Sequence, residues 1–210
     1  SSHALEAMQH RFEFPVVGVI EPAAEAALAA SPHGRVGVVG TLATVGSKAY
    51  VHALERRRPG VDVHQRACPL FVPLVEEGWL DHAVTREVAE EYLAELRGAQ
   101  PESLILGCTH YPLLAPLLAR VMGPDVKLVD SGAEAARATA GLLASRGLLA
   151  PEAGEPQHRF YLSDEPRRRS FAAVAESFLG RALPHVTVVD QTDLPWFERP
   201  VRAAAPEETT

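Results

Sequence analysis

Short runs of β-branched and aliphatic residues alternate along the chain with longer stretches in which apolar positions recur every three or four residues. This alternation predicts α/β units built around a mostly parallel sheet. Strands are predicted at 15–20 (PVVGVI), 35–40 (RVGVVG), 61–67, 103–107 (SLILG), 126–129, 159–162 and 186–189. A helix over 21–31 carries Glu21 in its first turn and Pro22 near its start, where a fixed φ and a missing N–H cost little. A second, over 82–98, places Val84, Val88, Tyr92 and Leu96 on one face and ends at Gly98. A third, over 132–146, is rich in Ala and Leu and closes at Gly147. A strand as uniformly apolar as SLILG calls for burial on both faces, as in a sheet flanked by helices. Residues 149–157 and the tail 201–210 have the composition of a solvated linker and a disordered end. The arginines Arg167 to Arg169 after Pro166 read as a solvated helical face, and Trp79 and Trp196 as packing residues.

The chain has 210 residues, 47% of them hydrophobic, enough for one large domain or two small ones. Twenty basic against twenty-seven acidic residues leave a net charge of −7, which argues against nucleic acid as a partner. No apolar run reaches the roughly 18 to 20 residues of a membrane span. The opening SSHALEAMQHRFEF holds no signal-peptide hydrophobic region, so a cytoplasmic protein with no membrane partner is expected. Two cysteines, Cys68 and Cys108, are too few for a disulfide framework. Lys48 and Lys127 are the only lysines, which leaves few candidates for a Schiff base.

The stretch ESLILGCTHYPLL, 102–114, reads as a buried strand, a turn and a helix. Ligands of open α/β sheets bind beyond the carboxyl ends of the strands, which is where this order of elements puts Cys108. Gly107 permits a close turn, and the following helix N-terminus offers N–H groups to an anion. The same positive end is expected to lower the thiol from about 8.5 and favour the thiolate. His110 can exchange a proton near neutral pH, since imidazole titrates at about 6.5. An inert buried cysteine beside an incidental histidine is the competing reading. A Cys-x-His zinc pair lacks two further ligands at recognisable spacing, so no metal is expected. Cys68, followed by a proline and an apolar run, reads as a small core thiol. Glu76 and Glu77 end that run, where partial withdrawal from water would alter a carboxyl's proton affinity; a solvated helix end is the alternative. In GTLATVGS, 40–47, Thr41 and Thr44 with nearby N–H groups form a plausible carboxylate cradle, and no Gly-Lys-Ser/Thr follows to make it a phosphate loop.

Taken in order and at these separations, VVGVIEPA, VGVVGTLATVGS, ACPLFVPLVEEG, LILGCTHYPLL, VDSG and HRFYLSDEP closely resemble the glutamate racemases of the aspartate/glutamate racemase superfamily. The resemblance implies cofactor-independent interconversion of L- and D-glutamate, the latter a peptidoglycan precursor, with glutamate as the small-molecule partner. It implies two similar three-layer α/β domains with mostly parallel sheets, closing over the substrate with one cysteine from each domain. By the same matching, Cys108 is the second catalytic cysteine, His110 the histidine that assists it and Glu76 the acid after PLFVPLV, with Glu77 in the adjacent register. Thr109, Thr41 and Thr44 match substrate-binding positions, and Cys68 matches a non-catalytic cysteine. The sequence does not fix an oligomeric state, and a homodimer is compatible with it.

The family's other catalytic cysteine lies in a Cys-Asn-Thr motif just before a segment like SSHALEAM, and the sequence here starts at Ser1. The family's aspartate-serine and tyrosine-glycine motifs are not in it either. The expectation is a racemase whose first domain is incomplete: 1–20 a remnant of it, 21–130 the second domain, 131–195 a return to the first and 196–210 a tail. These residues by themselves are not expected to racemise. Three rival readings stand beside this one: an aspartate- or hydantoin-type racemase, a racemase fold that acts only by binding, and a Cys-His hydrolase, for which no orienting Asn or Asp is identifiable.

Overall fold

RVGVVG forms β1 (Arg35–Gly40) in a computed structural model that describes residues 5–151, 157–162, 170–183, 186–189 and 201–203. Every residue of β1 after Arg35 is buried. β2 (Asp62–Ala67), β3 (Ser103–Leu106) and β4 (Lys127–Asp130) join it in a four-stranded parallel sheet of order β2-β1-β3-β4. All four residues of β3 are buried, as its sequence requires of a strand covered on both faces. The chain divides into two units, Ser1–Val75 with Trp79–Leu149, and Glu76–Gly78 with Ala150–Thr210, and this sheet belongs to the first.

The layers follow from the direction of the crossovers. From β1 the chain passes through α3 (Leu42–Gly46) and α4 (Ala49–Arg57) to β2 on one side. It then returns through α5 (Phe71–Glu76) and α6 (Ala83–Gly98) to β3 on the other side of β1, and through α7 (Ala115–Met122) to β4. Parallel crossovers are right-handed, so reversing direction across the sheet moves the connecting helix to the opposite face. Accordingly α2 (Ile20–Ala29) packs on α4 and on α8 (Ser131–Ser145), while α6 packs on α7. Ala23, Ala24 and Ala27 give α2 a shallow face that sits close on Val36, Val38, Ile105 and Val129, and Tyr50, Ala53 and Leu54 of α4 complete this core. Leu104 and Leu106, at the alternate positions of β3, serve the other face.

In the second unit β5 (Phe160–Leu162) pairs parallel with β6 (Val186–Val189), and β6 antiparallel with β7 (Val201–Ala203). The helix α9 (Ser170–Leu179) lies between β5 and β6 in the chain. Among the described residues no helix is long and apolar enough to cross a membrane.

Three expectations change. PVVGVI is not a strand: after α1 (Leu5–Arg11) the chain runs irregularly until α2 begins at Ile20. A strand needs a ladder, and no described strand lies alongside this segment; the Val16 carbonyl accepts instead from Gln9 Nε2 at 3.0 Å. On α6 the buried stripe is Thr85, Ala89, Leu93 and Leu96, with Val84 exposed, because small residues let the helix approach the sheet along a line one position round from the valines. Part of the tail expected to be disordered forms β7. Residues 152–156 of the expected linker, Arg167 to Arg169 and Trp196 lie outside the described residues.

At the amino end of the sheet Glu102 ties the α2–β1 connection to β3. Its carboxylate accepts from the backbone N–H groups of His33 (3.1 Å) and Arg35 (3.2 Å) and lies 2.5 Å from His33 Nδ1. Burial pushes this carboxyl up, but the His33 side chain, the two backbone N–H groups and the Arg35 guanidinium together hold it at about 2. A depressed carboxyl contributes stability above its unfolded value, near 4.5, which is lost as pH falls through the folded value. Glu102→Gln is expected to flatten the acid limb of the stability profile between pH about 4.5 and 2, read as urea midpoints against pH. An unchanged acid limb would contradict the assignment.

Candidate active site

The four parallel strands end in register, with Gly40 opposite Ala67, and Leu106 opposite both Val39 and Asp130. Thr41, Cys68, Cys108 and Ser131 therefore all stand just beyond one edge of the sheet. The strand order reverses between β1 and β3, so the chain leaves these neighbours toward opposite faces, the topological position at which open α/β sheets bind ligands. The segment carrying Thr41 and Thr44 follows β1 at this point and the segment carrying Cys108 follows β3.

Thr41 caps α3, its Oγ1 accepting from the Thr44 N–H at 3.2 Å. The Thr44 hydroxyl donates to the Gly107 carbonyl at 3.4 Å, which leaves its oxygen to accept from the Thr41 hydroxyl at 3.1 Å. The structure thus joins two segments that the sequence singled out separately. Gly107 is required there, since a Cβ would come within 2.9 Å of the Val39 carbonyl oxygen and 3.0 Å of Tyr50 Cε2. Its N–H donates to that same Val39 carbonyl at 2.8 Å.

Cys108 is partly exposed. His110 Nδ1 lies 4.0 Å from its Sγ and 3.4 Å from Thr109 Oγ1, so Cys108, Thr109 and His110 form one cluster. A 3-10 turn, Tyr111–Leu114, follows and leads into α7. The expected lowering of the thiol is corrected. Burial pushes Cys108 up, and the backbone N–H groups of His110 and Tyr111 with the Thr109 hydroxyl offset this only in part. The anion-stabilising donors predicted at this turn are present, but the protein covering the sulfur outweighs them.

Cys68 is fully buried, and burial holds its thiol at about 12 despite the Arg66 charge, as a core thiol requires. Iodoacetamide at pH 8 is therefore expected to label Cys108 well before Cys68, by peptide mass spectrometry; equal or faster labelling of Cys68 would contradict this. Glu76 ends α5 as an exposed residue and Glu77 follows it, also exposed. Among the described residues no three His, Cys, Asp or Glu side chains gather to hold a metal ion.

Two residues at this edge escaped the sequence reading. Tyr50, on α4, and Ser131, the first residue of α8, are hydrogen-bonded to each other behind the Cys108 segment. Ser131 lay within a recognisable VDSG but without a role, and a tyrosine on an apolar helix face carries no signal beyond packing.

The family model described as Asp/Glu/Hydantoin racemase matches residues 1–139. Glutamate racemase of Geobacter metallireducens is 48% identical over 186 residues, spanning 89% of this chain and 68% of the relative. That of Syntrophus aciditrophicus is 49% identical over 172 residues, 82% of this chain and 63% of the relative. Among solved structures, a glutamate racemase isoform from Bacillus anthracis superimposes with a TM-score of 0.83 at 35% identity, covering 90% of this chain and 70% of its own. Glutamate racemase from Francisella tularensis in complex with D-glutamate gives 0.78 at 33%, covering 88% and 68%. The chain spans about two thirds of the length of the relatives it matches.

Proposed function

The chain belongs to the Asp/Glu/hydantoin racemase family, and from that premise we propose that it is the Cys108-bearing part of a cofactor-independent glutamate racemase. The observation that carries the reading is a partly exposed thiol beyond β3, clustered with Thr109 and His110 and facing the Thr41–Thr44 segment across the reversal in strand order.

Inversion without a cofactor needs one group to take the α-proton and another to return a proton from the opposite face. Cys108 serves one face. It gives its proton as a thiol in one direction and takes the α-proton as a thiolate in the other, its state exchanging with that of the opposite thiol at each turnover, while the N–H groups of His110 and Tyr111 and the Thr109 hydroxyl stabilise the thiolate against the burial that disfavours it. His110 assists the transfer, Thr109, Thr41 and Thr44 hold the substrate carboxylates, and Glu76 supplies the further acid. Cys68 is unsuited to the opposite face, being fully buried with its thiol held at about 12. The second thiol then belongs to polypeptide that these 210 residues do not include. In this reading 21–130 form the second domain, and 1–20 with 131–195 an incomplete first one.

Circular dichroism of D- and L-glutamate solutions tests the proposal. The 210 residues alone are expected to leave both signals unchanged. A protein completed to the length of its relatives with a glutamate racemase amino-terminal segment is expected to drive both to zero, and to do so faster than with aspartate. Turnover by the 210 residues alone would mean that another proton carrier exists, and a preference for aspartate would reassign the substrate.

A further inference from the structure

Behind the Cys108 segment, α4, α8 and β3 meet in a chain of hydroxyls that the proposed chemistry does not use. The Ser131 hydroxyl donates to the Leu106 carbonyl at 3.0 Å. Its single hydrogen being spent there, its oxygen accepts from the Tyr50 hydroxyl at 2.9 Å. Tyr50, Ser131 and Leu106 are 2%, 7% and 1% exposed. The Tyr50 ring also closes on Gly107, its Cε2 standing 3.0 Å from where a Cβ would be.

With these contacts, the polar backbone groups between the end of β3 and the thiol are pinned in succession. Ser131 holds the Leu106 carbonyl, the Val39 carbonyl holds the Gly107 N–H, and Thr44 holds the Gly107 carbonyl. Packing alone would be met by phenylalanine at 50 and alanine at 131, without the cost of dehydrating two hydroxyls, so the pair points to a demand on position. We infer that Tyr50 and Ser131 are positioning residues for Cys108: their buried hydroxyl relay fixes the Leu106–Gly107 turn and with it the place of the sulfur.

The inference rests on the reading of Cys108 as a proton-transferring thiol, and it makes a separate demand. The groups that stabilise the Cys108 thiolate, the Thr109 hydroxyl and the N–H groups of His110 and Tyr111, follow directly on that turn. If the turn shifts they lose their aim at the sulfur, while the burial that disfavours the thiolate remains. The proximity is mutual, since the Cys108 charge adds to burial in raising the Tyr50 hydroxyl.

The test is the pH dependence of iodoacetamide alkylation at Cys108 in the 210-residue chain, resolved by peptide mass spectrometry with Cys68 as internal reference. Ser131→Ala and Tyr50→Phe are each expected to move the midpoint of the profile to higher pH and to slow labelling at pH 8 by about three- to tenfold, with Ser131→Thr restoring the wild-type profile. Tyr50→Phe keeps the ring against Gly107, so it decides the matter even if Ser131→Ala does not fold. A purely structural pair would lower the urea midpoint and leave the profile where it was. Either variant, folded and with the wild-type profile, overturns the inference. Because alkylation needs no turnover, that failure is distinct from failure of the racemase reading, which the inversion assay registers.

Discussion

Cys108→Ala, made in a protein completed to the length of its glutamate racemase relatives, is expected to lower kcat for inversion of either glutamate enantiomer by about 10²–10⁴-fold. A methyl group can neither take the α-proton nor return one, and both directions of the reaction pass through the same two faces, so D-to-L and L-to-D turnover should fall together. KM should move far less, because Thr109, Thr41 and Thr44, the proposed carboxylate contacts, remain. Cys68→Ala provides the contrast. Its sulfur is fully buried with its thiol held at about 12, and its removal should leave kcat near that of the parent. Circular dichroism at saturating substrate measures all three proteins. If Cys108→Ala keeps the parent's kcat, the proton carrier is another group and the proposed mechanism fails.

What could be read from the sequence divides along a physical line. β1 and β3 were legible because a strand covered on both faces has to be apolar, and after their first residues, Arg35 and Ser103, both are. PVVGVI carries the same composition without a partner, which composition cannot reveal. On α6 the period was right and the face was offset: Leu96 is buried, Val88 and Tyr92 are half-buried and Val84 is exposed, while Thr85, Ala89 and Leu93 complete the buried stripe. The Cys108 segment was legible as a motif, and its place at the carboxyl edge followed from the order of elements. The direction in which its proton affinity moves was not, since that depends on how much protein covers the sulfur. Tyr50 and Ser131 were out of reach for another reason. They are 81 positions apart, and only the fold makes them neighbours.

The second large effect is expected at Tyr111, the residue on which the Cys108 segment is anchored from below. Its ring is fully buried and meets Phe71 edge-on at 5.3 Å, and Phe71 in turn meets Tyr92 at 5.5 Å. Its backbone N–H donates to the Cys108 carbonyl at 3.1 Å and its hydroxyl to the Cys68 carbonyl at 2.8 Å. One residue thus links the turn after β3 to the turn after β2. Tyr111→Ala removes the ring and leaves a cavity at a contact that holds two strand ends, and should cost about 3–5 kcal/mol. Against a typical total of about 5–15 kcal/mol this is a large share. Tyr111→Phe keeps the volume and loses one hydrogen bond; the Cys68 carbonyl still accepts from the Phe71 N–H at 3.1 Å, so the cost should be only about 1 kcal/mol. Urea denaturation of the two variants separates packing from hydrogen bonding, and Cys68 reports where the damage falls. Once the ring is gone its thiol should become open to alkylation, while in Tyr111→Phe it should stay protected. A Tyr111→Ala protein as stable as its parent, with Cys68 still protected, would mean that the Cys108 segment is held from elsewhere.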